Sequence, residues 1–269
     1  MPEGDTILRA ARTLSRPLTG RELHRLAIGS VRDRGPLREV ELRPYTRIKG
    51  VEARGKHLLV SLTDGRTLHS HMGMTGSWHL YRPGEAWRLR ERAARAVLET
   101  DDAVAVCFTP QTLELLSRPA EDTQYLRRLG PDLSGDGPDL EEAVRRLRAL
   151  RPGDTEVGVA LLDQRISAGI GNVYKSETLC ACGVDPFAPI GDLTDDELRE
   201  LFATASALLK RNAATVMRST VPGGLGVYGR AGRPCRRCGT AIRSRRQGEH
   251  ARTTYWCPSC QPSRIGARA

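Results

Sequence analysis

The sequence predicts a multidomain α+β protein. Three observations carry that expectation. Residues 5–20 follow a helical period, and the stretch behind them, to about Arg118, breaks into short apolar runs between Gly, Asp and Pro turns. The chain then becomes helical, and it ends in an arginine-rich stretch holding two Cys-x-x-Cys pairs. The architecture this implies is a leading helix with a β-sandwich, a helical domain, and a small C-terminal β-hairpin.

Ile7, Ala11, Leu14 and Leu18 fall on one helical face, with Asp5 or Thr6 as the cap and Gly20 as the stop. His57–Val60, Thr67–Ser70 and Ala103–Val106 are short apolar runs of the kind that make a sandwich or barrel. Arg32–Leu37 and Arg82–Arg95 are too polar to place and are expected as loops. The texture changes at Leu129–Asp132, and the turn-rich Ser134–Pro138 is expected as the connector. Helices are expected over Leu140–Leu150, Val157–Ser167, Asn172–Cys182 and Asp195–Met217, the last opened by a capping box from Thr194 to Glu197. The expected domains are residues 1–130, 131–230 and 231–262, followed by a tail, 263–269.

Composition narrows the function classes. With 39% hydrophobic residues in 269, the chain can build a core and is not a disordered protein. No run of eighteen apolar residues offers a membrane span. The opening Met1-Pro2-Glu3-Gly4-Asp5 is acidic and lacks the pattern of a secretory signal, so a cytoplasmic protein is expected. The net charge of +10 favours an anionic partner, nucleic acid before membrane. From Arg230 to Ala269 there are ten Arg and one Glu, so nearly the whole surplus sits at one end, as a footprint for a phosphate backbone would. The 38 Arg against 4 Lys suggest a GC-rich genome.

Cys235-Arg236-Arg237-Cys238 and Cys257-Pro258-Ser259-Cys260 stand eighteen residues apart. Two such pairs can set four thiolates around one tetrahedral Zn²⁺, and the spacing is that of a zinc ribbon, with a redox role as the alternative. Four protein ligands leave no open position, so the ion would be structural. It would fold a hairpin too small to bury a core of its own.

Several segments, in order along the chain, carry a resemblance. They are Pro2-Glu3-Gly4, Gly55-Lys56-His57-Leu58-Leu59, and His69-Ser70-His71-Met72-Gly73-Met74-Thr75-Gly76-Ser77-Trp78. Leu161-Leu162-Asp163-Gln164 follows, with Ala168-Gly169-Ile170-Gly171-Asn172-Val173-Tyr174-Lys175-Ser176-Glu177. Last come Val227-Tyr228-Gly229-Arg230 and Arg252-Thr253-Thr254-Tyr255-Trp256-Cys257. From Pro2 to Gln261 the chain resembles the formamidopyrimidine-DNA glycosylase and endonuclease VIII family, in its endonuclease VIII-like branch of actinobacterial type. The resemblance implies a DNA glycosylase of base excision repair that also acts as a lyase at abasic sites. It also implies one structural zinc, damaged DNA as partner, a monomer at the bacterial nucleoid, and a helix–two-turn–helix in the second domain.

The resemblance also assigns roles. Pro2, freed of Met1, matches the nucleophile; an α-amino group titrates near ~8, so part of it is unprotonated at neutral pH. Glu3 matches the acid/base, and Lys56 a lysine of the catalytic site that touches the backbone beside the lesion. Met74 matches the side chain that fills the space of the everted base. Asn172, after the Gly169 and Gly171 turn, and Arg252 match residues that hold phosphates. Glu177 matches a supporting acid.

Two departures point away from the purine-specific branch. Phe108-Thr109-Pro110-Gln111-Thr112-Leu113 lacks that branch's arginine–phenylalanine pair, and Met217–Tyr228 is short where that branch has a long loop. Oxidised pyrimidines are therefore the expected substrates, and strand cleavage by β,δ-elimination the expected outcome. Thr6 stands where many relatives have a glutamate. An oxidised-purine glycosylase of the same family and a non-catalytic zinc-ribbon DNA-binding protein are the competing readings.

Overall fold

The computed structural model describes residues 2–33, 35–117 and 123–263. Met1, Arg118 and residues 264–269 of the tail lie outside them, and with them the expected loss of Met1 and the expected end of the β-rich stretch. Contacts divide the chain into two compact units, Met1–Arg128 and Leu129–Ala269. The turn-rich Ser134–Pro138 lies inside the second unit, where Asp132 accepts from the Ser134 N–H at 2.9 Å.

The first unit opens with α1 (Gly4–Leu18), whose stripe of Ile7, Ala11, Leu14 and Leu18 is buried. Removing one such side chain from water is worth about 1.5–3 kcal/mol, so the stripe, rather than propensity, holds the helix in place. The N-cap position belongs to Glu3, and not to Asp5 or Thr6 as the sequence suggested. The Glu3 carbonyl accepts from Thr6 and Ile7 at 2.9 and 3.1 Å, and its backbone is extended. The helix stops at Leu18, just after Pro17 in its last turn, and Gly20 then takes a left-handed φ of +81°.

Among the described residues, nine strands follow: β1 (Arg25–Ile28), β2 (Arg38–Glu39), β3 (Ile48–Arg54), β4 (His57–Leu62), β5 (Thr67–His71), β6 (Ser77–Tyr81), β7 (Ala94–Glu99), β8 (Val104–Phe108) and β9 (Thr112–Leu116). They form two antiparallel sheets, ordered β2-β1-β7-β8-β6 and β3-β4-β5-β9. Between them Leu26, Leu98 and Ala105 meet Ile48, Leu58, Val60 and Leu68, and α1 closes over β3 and β4. Strand β8 is buried on both faces. Ala105 and Cys107 enter this core, while Val104, Val106 and Phe108 join an outer cluster with Tyr81 and Val97. The expected loop over Arg82–Arg95 is shorter than predicted. A 3₁₀ turn covers Glu91–Ala93 and β7 begins at Ala94, so Arg95 is a buried strand residue whose guanidinium donates to the carbonyls of Arg92 and Ala94. A one-turn helix, α2 (Gln124–Arg127), ends this unit.

The second unit carries α3 (Leu140–Leu150), α4 (Val157–Ala160), α5 (Asn172–Ala181) and α6 (Asp195–Ala213) around a core that includes Leu147, Leu161, Ile170, Tyr174, Leu201, Phe202 and Leu209. Asp139 caps α3, and the Thr194–Glu197 capping box opens α6. Two expected helices are shorter than their apolar patterns. Val157–Ser167 gives only α4, because the side chains of Asp163 and Gln164 take the next turn's backbone: Asp163 accepts from the Arg165 N–H and Gln164 from Gly169. Asp195–Met217 stops at Ala213, because Asn212 accepts from the Ser219 N–H at 2.7 Å and turns the chain. A hairpin of β10 (Arg243–Gln247) and β11 (Arg252–Trp256) completes the unit. Among the described residues no helix is long and apolar enough to cross a membrane.

Candidate active site and nucleic-acid interface

In the first unit each residue singled out by sequence lies at a chain entry or a turn tip. Pro2 is half-buried and Glu3 fully buried at the start of α1. Arg54 pairs with His57 across β3 and β4, which leaves Gly55-Lys56 as a two-residue turn. Gly55 takes φ +59°, as such turns demand, and presents Lys56 half-buried at the tip. Gly73-Met74-Thr75 forms the turn between β5 and β6, closed by Gly76 N–H to Met72 O at 2.9 Å. Met74 is 66% exposed there and is not a core methionine. His57 pairs with His71, so the Lys56 and Met74 turns leave the sheet at the same end. The Gln111 side chain packs against Gly73, leaving no room for a Cβ at that position.

Behind the Lys56 turn lies a polar cluster that the sequence reading missed. Tyr125 of α2 sets its hydroxyl 2.5 Å from His57 Nδ1 and 2.8 Å from His69 Nε2. His69 Nδ1 faces Glu114 Oε2 at 3.6 Å. A proton on His69 Nδ1 leaves Nε2 free to accept from Tyr125, whose oxygen accepts in turn from His57 Nδ1–H. Burial, then His71, His69, Lys56 and Arg54, push the His57 pKa down from 6.5 to about 2, so this ring is neutral in the fold. Burial also lowers His71, helped by Lys56, and lowers His69 against the pull of Glu114. Burial, reinforced by Glu114, pushes the Tyr125 hydroxyl well above its usual 10.0. One signal was available in the sequence: His69-x-His71 in a strand places both rings on one face.

In the second unit the structure brings Asn172 and the Arg252 strand together. Helix α5 grips β11 with residues one turn apart. Asn172 Nδ2 donates to Thr253 O at 2.8 Å, Lys175 Nζ to Thr254 Oγ1 at 2.6 Å, and Tyr255 N–H to Ser176 Oγ at 3.4 Å. Arg252 is exposed at the start of that strand. Gly169 precedes α5 in a left-handed conformation, and Gly171 is the N-cap. The Glu177 carboxylate accepts three successive backbone N–H groups, Gly226, Val227 and Tyr228, at 2.7–2.9 Å, and also the Thr220 hydroxyl. It thus fixes both ends of the short segment after Met217.

The sulfur atoms of Cys235, Cys238, Cys257 and Cys260 all lie within 4.8 Å of one another. Spacings such as 3.9 Å for Cys235–Cys260 and 3.4 Å for Cys238–Cys257 fit the edges of a tetrahedron of thiolates. Backbone N–H groups of Arg237 and Cys260 point at Cys235 and Cys257 sulfurs at 3.4 Å, as expected for charged thiolates. The set fits one structural Zn²⁺.

A helix-capped β-sandwich and a helical unit bearing a four-cysteine hairpin define a class of DNA-repair fold, and sequence comparison agrees. Residues 1–112 match the formamidopyrimidine-DNA glycosylase N-terminal domain, 129–221 its H2TH domain, and 232–262 the zinc finger found in FPG and IleRS. The chain is 44% identical to a probable endonuclease 8 2 of Streptomyces coelicolor, over 97% of this chain and 94% of that one. It is 39% identical to the DNA-(apurinic or apyrimidinic site) lyase Nei2 of Mycolicibacterium smegmatis, over 97% and 99%. In fold it is similar to Lactococcus lactis formamido-pyrimidine DNA glycosylase bound to AP-site DNA, at a TM-score of 0.78 and 24% identity over 97% of this chain and 100% of that one. The MutM (FPG) protein of Thermus thermophilus gives 0.75 and 28% over 97% and 98%. The chain belongs to the formamidopyrimidine-DNA glycosylase and endonuclease VIII family.

Proposed function

We propose that this protein is a bifunctional DNA glycosylase and abasic-site lyase that excises oxidised pyrimidines in base excision repair at the bacterial nucleoid. The observation that carries the pyrimidine reading is the short Met217–Tyr228 segment, held closed on Glu177. A loop pinned by three backbone bonds leaves little chain to wrap an oxidised purine. Glu3 and the family membership support the chemistry, and the three expected domains supply its parts.

The nucleophile is the secondary amine of Pro2 after loss of Met1. It attacks C1′, the C1′–N bond breaks with its electron pair on the base, and the Glu3 carboxyl protonates the ring oxygen as the sugar opens. The resulting iminium acidifies C2′. Loss of that proton breaks the C3′–O bond, and a second elimination breaks C5′–O, so two phosphate monoester ends remain. Lys56 touches the backbone beside the lesion, Met74 fills the space of the everted base, and Asn172 and Arg252 hold phosphates. Zinc, held by the four cysteines, takes no part in a step; when bound it supplies only the fold of the hairpin that carries Arg252. Borohydride trapping on thymine glycol and dihydrouracil duplexes tests the reading. A clear preference for 8-oxoguanine paired with C would overturn its pyrimidine part.

A further inference from the structure

Within the first unit, side chains from four elements meet behind the β3–β4 turn that carries Lys56. Glu114 of β9 faces His69 Nδ1 of β5 at 3.6 Å. His69 Nε2 lies 2.8 Å from the hydroxyl of Tyr125 in α2, and that hydroxyl lies 2.5 Å from Nδ1 of His57 in β4. The His57 ring also meets Tyr125 edge-on, with centroids 5.0 Å apart, and stands 4.8 Å from the His71 ring. Packing alone does not call for such a set. Apolar side chains would fill the same space with no polar atom to desolvate, whereas a buried polar network costs burial energy and specifies one geometry. That geometry ends at Lys56. His57 follows it directly, and the His57 backbone pairs with Arg54 across the turn and with His71. A two-residue turn has only two strand ends, here Arg54 and His57, to set the direction of Lys56. Burial comes first in lowering the pKa of His57 and of His71, and the charge of Lys56 adds to both, so its ammonium stands near these rings.

We propose that Tyr125 is a positioning residue for Lys56: its hydroxyl, bonded to His57 and His69, locks the strand end next to Lys56 and so fixes where the ammonium meets the DNA backbone. The inference rests on the backbone contact proposed for Lys56. His57 Nδ1–H donates to the Tyr125 oxygen, and the Tyr125 hydroxyl donates to His69 Nε2. The phenol therefore cannot turn away without losing both bonds at once. Lysine has a long flexible stem, so its ammonium is placed well only when the backbone beneath it is held still. Tyr125 supplies that hold from 68 residues away in sequence. It touches no reacting atom and acts only through His57.

The test is a double-mutant cycle on the full zinc-bound chain, read as affinity for a duplex with a reduced abasic site that cannot be cut. Tyr125→Phe should weaken binding about fivefold when Lys56 is present, and by less than about twofold in the Lys56→Ala background. His57→Asn, whose amide nitrogen takes the place of Nδ1 and still donates to Tyr125, should keep most of the affinity. His57→Leu should lose as much as Tyr125→Phe. If Tyr125→Phe fails to fold, the His57→Asn and His57→Leu pair, each with and without Lys56→Ala, gives the same comparison. A merely structural role would weaken binding equally in both Lys56 backgrounds, and that result would overturn the proposal. So would a Tyr125→Phe chain that binds like the wild type. A Lys56→Ala chain that binds like the wild type would take Lys56 out of the proposed function, and this inference with it. A protein that shows the coupling but neither traps nor cuts would sink the proposed chemistry alone, because binding is measured without catalysis.

Discussion

Glu177 Oε1 accepts the backbone N–H of Tyr228 at 2.7 Å, while Oε2 of the same carboxylate accepts that of Gly226 at 2.8 Å. An acid on α5 therefore sets the course of the chain just before the zinc hairpin. Glu177→Gln should be severe, because its amide nitrogen would face N–H donors. Hydrogen bonds to a charged group are each worth about 1.5–3 kcal/mol, so we expect a loss of about 2–3 kcal/mol in unfolding free energy. Proteolysis within 217–228 should quicken. Calorimetry and limited digestion check both; an unchanged digestion pattern would mean the segment is held by something else.

Much of this architecture was legible in the sequence, and the failures have physical causes. The stripe of α1, the capping box at Thr194 and the cysteine spacing are local signals, and the structure reproduces them. Apolar periodicity overran two helices because Asp163 and Asn212 capture backbone groups, which a hydrophobic pattern does not register. The His57–His69–Tyr125 cluster was not legible, because Tyr125 is far from both histidines in sequence and reaches them only through the fold. Lys175 was passed over for a related reason. Its place in α5 looks like a solvated face until β11 covers it.

The buried histidines predict acid sensitivity. His57 is neutral in the fold with a pKa near 2 against 6.5 in an unfolded chain, and His69 and His71 are lowered as well. A depressed pKa means the unfolded state binds protons first. The stability is therefore complete above pH 6.5 and is lost as pH falls, at up to about 1.4 kcal/mol per pH unit for each such histidine. Denaturant midpoints between pH 7.5 and 4.5 should fall accordingly. His57→Gln should be less stable at neutral pH and should show a shallower slope. An equal slope in that variant would assign the acid sensitivity to other groups.

Zinc should be present at about one ion per chain in freshly purified protein. Its loss should remove DNA binding before it unfolds the β-sandwich, because β11 carries Arg252 and Cys257 is its direct continuation. Metal analysis together with near-ultraviolet circular dichroism, before and after chelation, checks the order of events. Retained binding by a zinc-free protein would contradict a structural role for the ion.

Affinity for lesion DNA should fall linearly on a log–log plot against salt, by about 0.9 per phosphate neutralised. Arg252→Ala should weaken binding across sequences and reduce the slope by about one. Asn172→Ala should weaken it with a smaller change in slope, since Asn172 carries no charge and its Nδ2 grips Thr253. Titrations at several chloride concentrations separate the two, and a slope that ignores Arg252 would remove it from the phosphate contacts.

The N-terminus gives the sharpest test, because one covalent detail decides the mechanism. With Met1 attached, the Pro2 nitrogen is a tertiary amide with no basic lone pair. A preparation that retains Met1, or carries one extra residue, should bind DNA normally but neither trap nor cut. Pro2→Gly keeps a free α-amine on a less constrained chain, so trapping should persist at a reduced rate. Glu3 is buried at the entry to α1 and its backbone carbonyl anchors the first turn. Glu3→Gln keeps that carbonyl and the side-chain shape but removes the acid, so the fold should survive. Base excision should drop by about 10²–10⁴-fold, the usual worth of a positioned acid–base group. Cutting at a preformed abasic site should be largely kept, since no glycosidic bond remains to be broken there. Equal losses on both substrates would place Glu3 in the elimination steps as well. Full trapping by the Met1-retaining chain would exclude Pro2 and make Lys56, at the tip of the β3–β4 turn, the next amine to examine.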